Sequence, residues 1–361
     1  MTPAPARHRL IRVWLYAVAA LVFAMVMVGG ATRLTGSGLS IVEWKPVTGA
    51  IPPLSQAQWT AEFEKYKTIP QYEQINRGMS LDEFKTIYWW EWTHRFLGRL
   101  IGVVFLLPFL FFLWRGWIEP DLRARLWAIF ALGALQGAVG WWMVVSGLAE
   151  RTSVSQYRLS FHLTLACLIY AALIWTAQRL AARPPHDAPM HVRAGTAALV
   201  ALTFVQIYLG ALVAGFHAGL TYNTWPLMDG RLLPGLSELF LLEPIWRNLF
   251  ENALTIQFNH RIVAYLLWPA ALLHAVAVAQ AYRRALAAAV TLACAITIQA
   301  ALGIITLLYQ APVGWALLHQ AFALVVLTLV VLHAERLSAR PRPEVRAAAP
   351  KLAVGRSNPS R

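Results

Sequence analysis

Residues 91–114 read EWTHRFLGRLIGVVFLLPFLFFLW, and residues 257–281 read QFNHRIVAYLLWPAALLHAVAVAQA. Each stretch has a His-Arg pair near its head and then stays apolar for about the 20 residues that a helix needs to cross a hydrocarbon core of roughly 30 Å. Scanning outward from these two gives six further runs, so that eight spans are expected at about 13–31, 92–114, 124–146, 157–179, 194–214, 259–281, 285–308 and 313–334. The 361-residue chain is 58% hydrophobic and 13% charged, against about 45–50% and 25% in soluble domains. A soluble enzyme, a disordered chain and a collagen-like repeat are excluded, and an all-α integral membrane protein is predicted. The first run is read as a retained helix, because no small-residue cleavage pattern follows it and no Arg/Ser-rich presequence precedes it.

The net charge of +14 records topology. An even number of spans puts both termini on one side, and with the termini cytoplasmic that side carries 18 of the 31 basic residues but 5 of the 17 acidic ones. This is the asymmetry of the positive-inside rule, and it removes the case for a nucleic-acid partner. The expected parts are a cytoplasmic N-terminus (1–12), a first four-helix unit (13–180) with a long outer loop at 32–91, and a cytoplasmic linker (181–193). A second four-helix unit (194–335) with an outer loop at 215–258 and a disordered basic cytoplasmic tail (336–361) complete the chain. Within the first loop, Trp59, Phe63 and Tyr66 stand at helical spacing and predict a short amphipathic helix on the membrane surface. Cys167 and Cys294 both fall in apolar runs, which gives no disulfide framework and no Cys-based zinc site.

The two opening stretches belong to an internal repeat. Helix one ends in Val28-Gly29-Gly30-Ala31 and leads to Trp44-Lys45-Pro46, while helix five ends in Leu212-Val213-Ala214-Gly215 and leads to Trp225-Pro226. Helix four carries Phe161-His162-Leu163, and helix eight Leu318-His319-Gln320. The prediction is therefore two pseudo-symmetric four-helix bundles, related by an axis along the membrane normal, each with one His on its second helix and one on its fourth.

An ionisable side chain inside a membrane helix is costly and marks a candidate site facing the bundle interior. His94, His162, His260 and His319 share one depth near the outer ends of their helices. Each taken alone reads equally well as a core His bonded to a neighbouring helix. Taken as two symmetric pairs, they offer facing imidazoles of the kind that ligate a haem iron axially, whereas zinc would want three or four ligands. Arg95 and Arg261 follow the first ligand of each pair and are candidates for propionate contacts, the alternative being interfacial arginines that snorkel to headgroups. Gly98, Gly102, Gly133, Gly137 and Gly140 fit either the close approach of a flat macrocycle or ordinary helix contacts. Glu91 stands one turn before His94, where the second half has Gln257, so that only the first half has an acid beside its site. That asymmetry suggests proton-coupled chemistry there, the alternative being a solvated acid at a helix start. His274 and His333 each lie fourteen residues after a candidate ligand, about 21 Å deeper, which leaves a third haem open.

With these residues in place, the chain resembles a known family. Gly29-Gly30-Ala31-Thr32-Arg33-Leu34-Thr35-Gly36-Ser37-Gly38-Leu39-Ser40, then Glu43-Trp44-Lys45-Pro46, Ile51-Pro52-Pro53 and Glu91-Trp92-Thr93-His94-Arg95, resemble haem A synthase over about residues 13 to 335. The resemblance implies an enzyme that oxidises a ring methyl of haem O to a formyl group by successive water-derived hydroxylations, followed by dehydration of the gem-diol. It implies that His94 and His162 hold the substrate haem in the first half, that His260 and His319 hold a haem b cofactor in the second, and that Glu91 is the acid required near the substrate. The loop cysteine pairs of some members are absent here, so the chain resembles the cysteine-free, long-loop subgroup of proteobacterial and mitochondrial type, and with no presequence before a short N-terminus a bacterial inner membrane is expected. Haem O synthase, oxidase assembly factors, membrane lipid and an unidentified electron acceptor are the implied partners. Two other readings stay open on the residues themselves: a bis-His cytochrome b exchanging electrons with quinone, and a haem O carrier.

Overall fold

A computed structural model describes residues 4–181 and 188–338. Helices are joined by irregular loops in the described residues, and eight of the helices are long and apolar enough to span a membrane. The first span is α1 (Ala4–Leu34). The outer loop then carries α2 (Gln56–Lys67) and α3 (Pro70–Gln74), before the spans α4 (Leu81–Trp114), α5 (Pro120–Leu148), α6 (Gln156–Arg179) and α7 (Met190–Gly215). The second outer loop holds the short α8 (Leu236–Leu239) and α9 (Asn248–Glu251). The last spans are α10 (Ala253–Ala281), α11 (Leu286–Leu308) and α12 (Val313–Leu337). The expected disordered tail falls outside the described residues from 339 onward, as do residues 182–187 of the linker, with His186, and residues 1–3.

Three spans begin well before their apolar runs, α1 at Ala4 rather than near 13, and two of these starts are set by caps. Helix α4 starts at Leu81 rather than near 92, because Ser80 forms a capping box with Glu83, in which the hydroxyl accepts from Glu83 N and the carboxylate accepts from Ser80 N at 2.7 Å. This reciprocal cap satisfies two otherwise orphaned donors. Helix α10 starts at Ala253, where the Asn252 side chain accepts from Leu254 N at 3.0 Å. The extra turns of α4 are amphipathic. Phe84, Ile87 and Tyr88 on one face are buried against Phe63 and Tyr66 of α2, with the Phe63 and Phe84 rings stacked at 4.9 Å. The apolar face of α2, expected to lie on lipid, is therefore covered by protein.

Among the spans, α1 packs on α4 and α6, and α7 packs on α10 and α12. Helices α6, α7, α1 and α12 meet at the centre of the molecule, and residues of all eight spans join one apolar core. Gln320 donates from α12 to the carbonyl of Val26 on α1 at 2.6 Å. Tyr170 of α6 and Thr328 of α12 share a hydrogen bond of 2.7 Å.

Candidate functional site

Each of the four histidines sits against a glycine of the preceding span. A β-carbon on Gly29 of α1 would lie 3.0 Å from Nε2 of His94, and one on Gly140 of α5 would lie 3.0 Å from Cε1 of His162. In the other half, Gly210 of α7 stands in the same way to His260 (3.0 Å) and Gly303 of α11 to His319 (2.9 Å). Any side chain at these four places would push an imidazole aside.

A second residue class completes the pattern and was not singled out in the sequence. Gln136 donates from Nε2 to the main-chain oxygen of His162 at 3.0 Å and contacts its Nδ1 at 3.1 Å. Gln299 does the same to His319, at 3.0 and 3.1 Å. Gln206 bonds the His260 carbonyl at 3.1 Å and reaches its Nε2 at 3.4 Å. Each glutamine is four residues before the glycine that faces the same ring, so one turn of helix presents both. The signal was legible as Gln-x-x-x-Gly at 136–140, 206–210 and 299–303, with Met25 in place of Gln before Gly29. His94 is the one ring of the four without such an amide among the described residues.

Buried polar atoms left without partners gather here: Nδ1 of His260 and Oε1 of Gln136, Gln206 and Gln299. A metal-ligating imidazole donates its other ring N–H to an acceptor. Turning each amide about its axis would present such an acceptor oxygen to the ring. Two half-buried imidazoles per bundle, a glycine behind each and spare acceptors beside them fit axial ligation of a flat metallocycle.

Above these rings the outer loops are clasped to the bundles. Glu91 is only 2% exposed, ten residues inside α4, and is not a solvated helix-start acid. Its Oε2 accepts from Ser40 Oγ and Ile41 N, both at 2.8 Å, and its Oε1 accepts from Arg95 at 2.6 Å. Arg95 also donates to the carbonyls of Ile41 (2.6 Å) and Glu43 (2.9 Å). In the second half, Gln257 donates to the carbonyls of Ala218 (2.8 Å) and Thr221 (2.7 Å) and accepts from Arg261. Arg261 in turn donates to the carbonyls of Tyr222 and Leu227. Both arginines, expected to reach propionates, are thus engaged with loop main chain. The Glu91/Gln257 difference follows what each loop offers, donors in the first half and carbonyls in the second. Hydrogen bonds from Lys45 and Lys65 hold the half-buried Glu43 carboxyl in this loop below its usual range.

One turn below Arg95, Arg99 donates to the carbonyls of Pro46 and Lys45, both at 2.7 Å, while its buried Nη1 has no partner. It lines a cavity of about 380 Å³ with Arg95, Lys45 and Tyr88. The deeper pair, His274 and His333, is closed on itself, with Nε2 to Nε2 at 2.9 Å and Thr196 Oγ1 3.1 Å from His274 Nε2. Two metal–nitrogen bonds of about 2 Å would need roughly 4 Å, so this geometry is a hydrogen bond and gives the third-haem reading no support.

Residues 12–331 match the family described as cytochrome oxidase assembly protein. The chain is 60% identical over 336 residues to the heme A synthase of Rhodopseudomonas palustris strain BisB5, covering 93% of each chain. It is 59% identical over 338 residues to the heme A synthase of Bradyrhizobium diazoefficiens, covering 93% of this chain and 94% of the relative.

Proposed function

The chain belongs to the cytochrome oxidase assembly protein family that includes the haem A synthases, and from that membership we propose how its two bundles divide the work. The protein is a multi-pass membrane oxidoreductase that acts on haem O and forms haem A. In our reading, the bundle of α1, α4, α5 and α6 holds the haem O substrate between His94 and His162. The bundle of α7, α10, α11 and α12 holds a haem b between His260 and His319. The observation that carries this reading is the glycine behind every one of the four rings, with a glutamine beside three of them, repeated in both bundles.

Oxidising a methyl to a formyl group removes four electrons. When bound, haem b supplies one-electron steps at the same depth as the substrate. The protein's own part is positional. Gln136 fixes the His162 ring, and Gln206 and Gln299 fix those of His260 and His319, so that the imidazoles reach a ligand in set orientations. Met25 leaves the His94 ring unpinned, which suits a ligand that must arrive and leave. Glu91 and Arg95 hold residues 40–43 over the outer mouth of the first bundle and keep bulk water from it. Oε2 of Glu91, bonded to the Ser40 hydroxyl, is the atom we assign to take protons from the water that enters the substrate. With Arg95 engaged, Nη1 of Arg99 is the guanidinium edge free to meet a propionate on this side.

His274 and His333, fourteen residues beyond two of the candidate ligands, form a hydrogen-bonded pair, so their spacing lends the cytochrome b alternative no support. The test is chromatography with mass detection of haems from membranes that co-express this chain and a haem O synthase in a host lacking haem A. Haem A is expected and should vanish in His94→Ala. Bound haem b and haem O with no haem A or hydroxylated product, in the presence of a working electron acceptor, would replace the enzyme with a carrier.

A further inference from the structure

The two bundles differ in the wall they turn to the bilayer. In the second, α10 and α11 pack along each other, and the indole Nε1 of Trp268 donates across the seam to Thr297 Oγ1 at 3.0 Å. Behind that bond Ile296 is buried, at 4% exposure. In the first, α4 and α5 meet sparsely. Registering His94 on His260 and Gln136 on Gln299 places Gly102 where the second half has Trp268, Ala134 where it has Thr297, Gly133 where it has Ile296 and Gly137 where it has Ala300. Gly102, Gly133, Ala134 and Gly137 are all exposed, and a β-carbon on any of the three glycines would meet nothing within 4 Å.

The opening is bounded. Toward the other face the same two helices close with Phe105 stacked on Phe130 at 6.0 Å and Phe109 edge-on to Trp127 at 4.9 Å. At the outer end, Arg95 lies over the Trp141 ring at 5.8 Å, and Trp141 meets Trp44 at 5.0 Å. Gly102 is eight residues below His94, about 12 Å along the helix, and Gly133 is seven residues from Gly140, about 10 Å. The gap therefore lies just below the two imidazoles, between an aromatic floor and an aromatic lintel, and it faces lipid.

We propose that Trp268 and Thr297 form a strap that retains the group held by His260 and His319, and that the unstrapped seam at Gly102 and Ala134 is the lateral doorway through which lipid-soluble haem O reaches His94 and His162. The proposal rests on the division of bundles made above and adds what makes one haem resident and the other exchangeable. The lipid-soluble haem O favours the bilayer over water, because burying its apolar surface is favourable. A side entrance spares its tail any passage through the hydrated outer loops.

The test transplants the strap in the full-length protein in lipid nanodiscs. Gly102→Trp with Ala134→Thr should leave the haem b content unchanged, which also reports folding, and should slow optical uptake of added haem O by about ten-fold or more. Trp268→Gly should speed the loss of haem b to excess apomyoglobin by about as much, and Trp268→Phe should separate indole bulk from the hydrogen bond. Uptake of haem O at the wild-type rate by the transplanted variant, or haem b retained by Trp268→Gly as in the wild type, would overturn the doorway. Failure of the wild type itself to bind haem O would instead sink the division of bundles.

Discussion

At the scale of single residues, the glycines opposite the histidines carry as much of the site as the histidines do. A β-carbon on Gly303 would stand 2.9 Å from the His319 ring, and overpacking of this kind costs about 1–3 kcal/mol. Gly303→Ala should therefore lower haem b content and the thermal midpoint together, while Gly314→Ala, where a β-carbon meets nothing within 4 Å, should change neither haem content nor the site. Glu91→Gln tests a different role. It removes the charge and sets an amide against the donors of Ser40 and Ile41, so turnover should fall by about 10²-fold or more if the carboxylate takes a proton, with both haems still bound. If activity drops only in step with lost haem O, Glu91 is a clasp alone. The histidines were legible in the sequence because an ionisable group in an apolar run is costly and conspicuous. Gln136, Gln206 and Gln299 were not, because a glutamine near a glycine in a Gly-rich chain looks like any helix contact until the ring it serves is in view. The same limit hid what holds Arg95 and Arg261: the sequence places them beside the site, but the loop carbonyls that they bond come from segments far along the chain.

At the scale of elements, hydropathy finds the membrane-spanning part of a helix and misses its extension into water. The turns from Leu81 to Trp90 include Asp82, Glu83 and Lys85, which end the apolar run, yet the cap at Ser80 and the packed face of Phe84, Ile87 and Tyr88 continue the helix. Phe84 is fully buried between Phe63 and Tyr66. Phe84→Ala should cost about 3–5 kcal/mol of local stability and release α2 from α4. Limited proteolysis should then cut within residues 55–80 while the eight spans stay intact. Resistance equal to the wild type would mean that the loop is held by the clasp of Glu91 and Arg95 and not by this apolar contact. Span number and order were legible because each apolar run is long, whereas the covering of α2 was not, because its partner surface forms only when α4 overshoots the membrane.

At the scale of the whole molecule, orientation is the one large feature that the fold leaves to charge. Either placement of the termini gives the same eight helices, the same central contact of α1, α6, α7 and α12, and the same four rings. What separates them is that 18 of the 31 basic residues lie on the side of the termini, the side kept in the cytoplasm by the positive-inside rule. The chain suits a labelling test, because Cys167 is buried within α6 and Cys294 lies within the α11 span, away from water-soluble maleimides. A cysteine at Glu64, on the exposed face of α2, should then be labelled in right-side-out vesicles. One at Arg284, between α10 and α11, should be labelled only in inverted ones. That pattern places the clasped loops outside and the Gly102 seam toward the outer leaflet, so that haem O reaches the first bundle from within the bilayer and its oxidation is shielded from cytoplasmic water. The reverse pattern would put most of the positive charge across the membrane and turn both clasped mouths to the cytoplasm, and the protons released by the oxidation would then leave on that side.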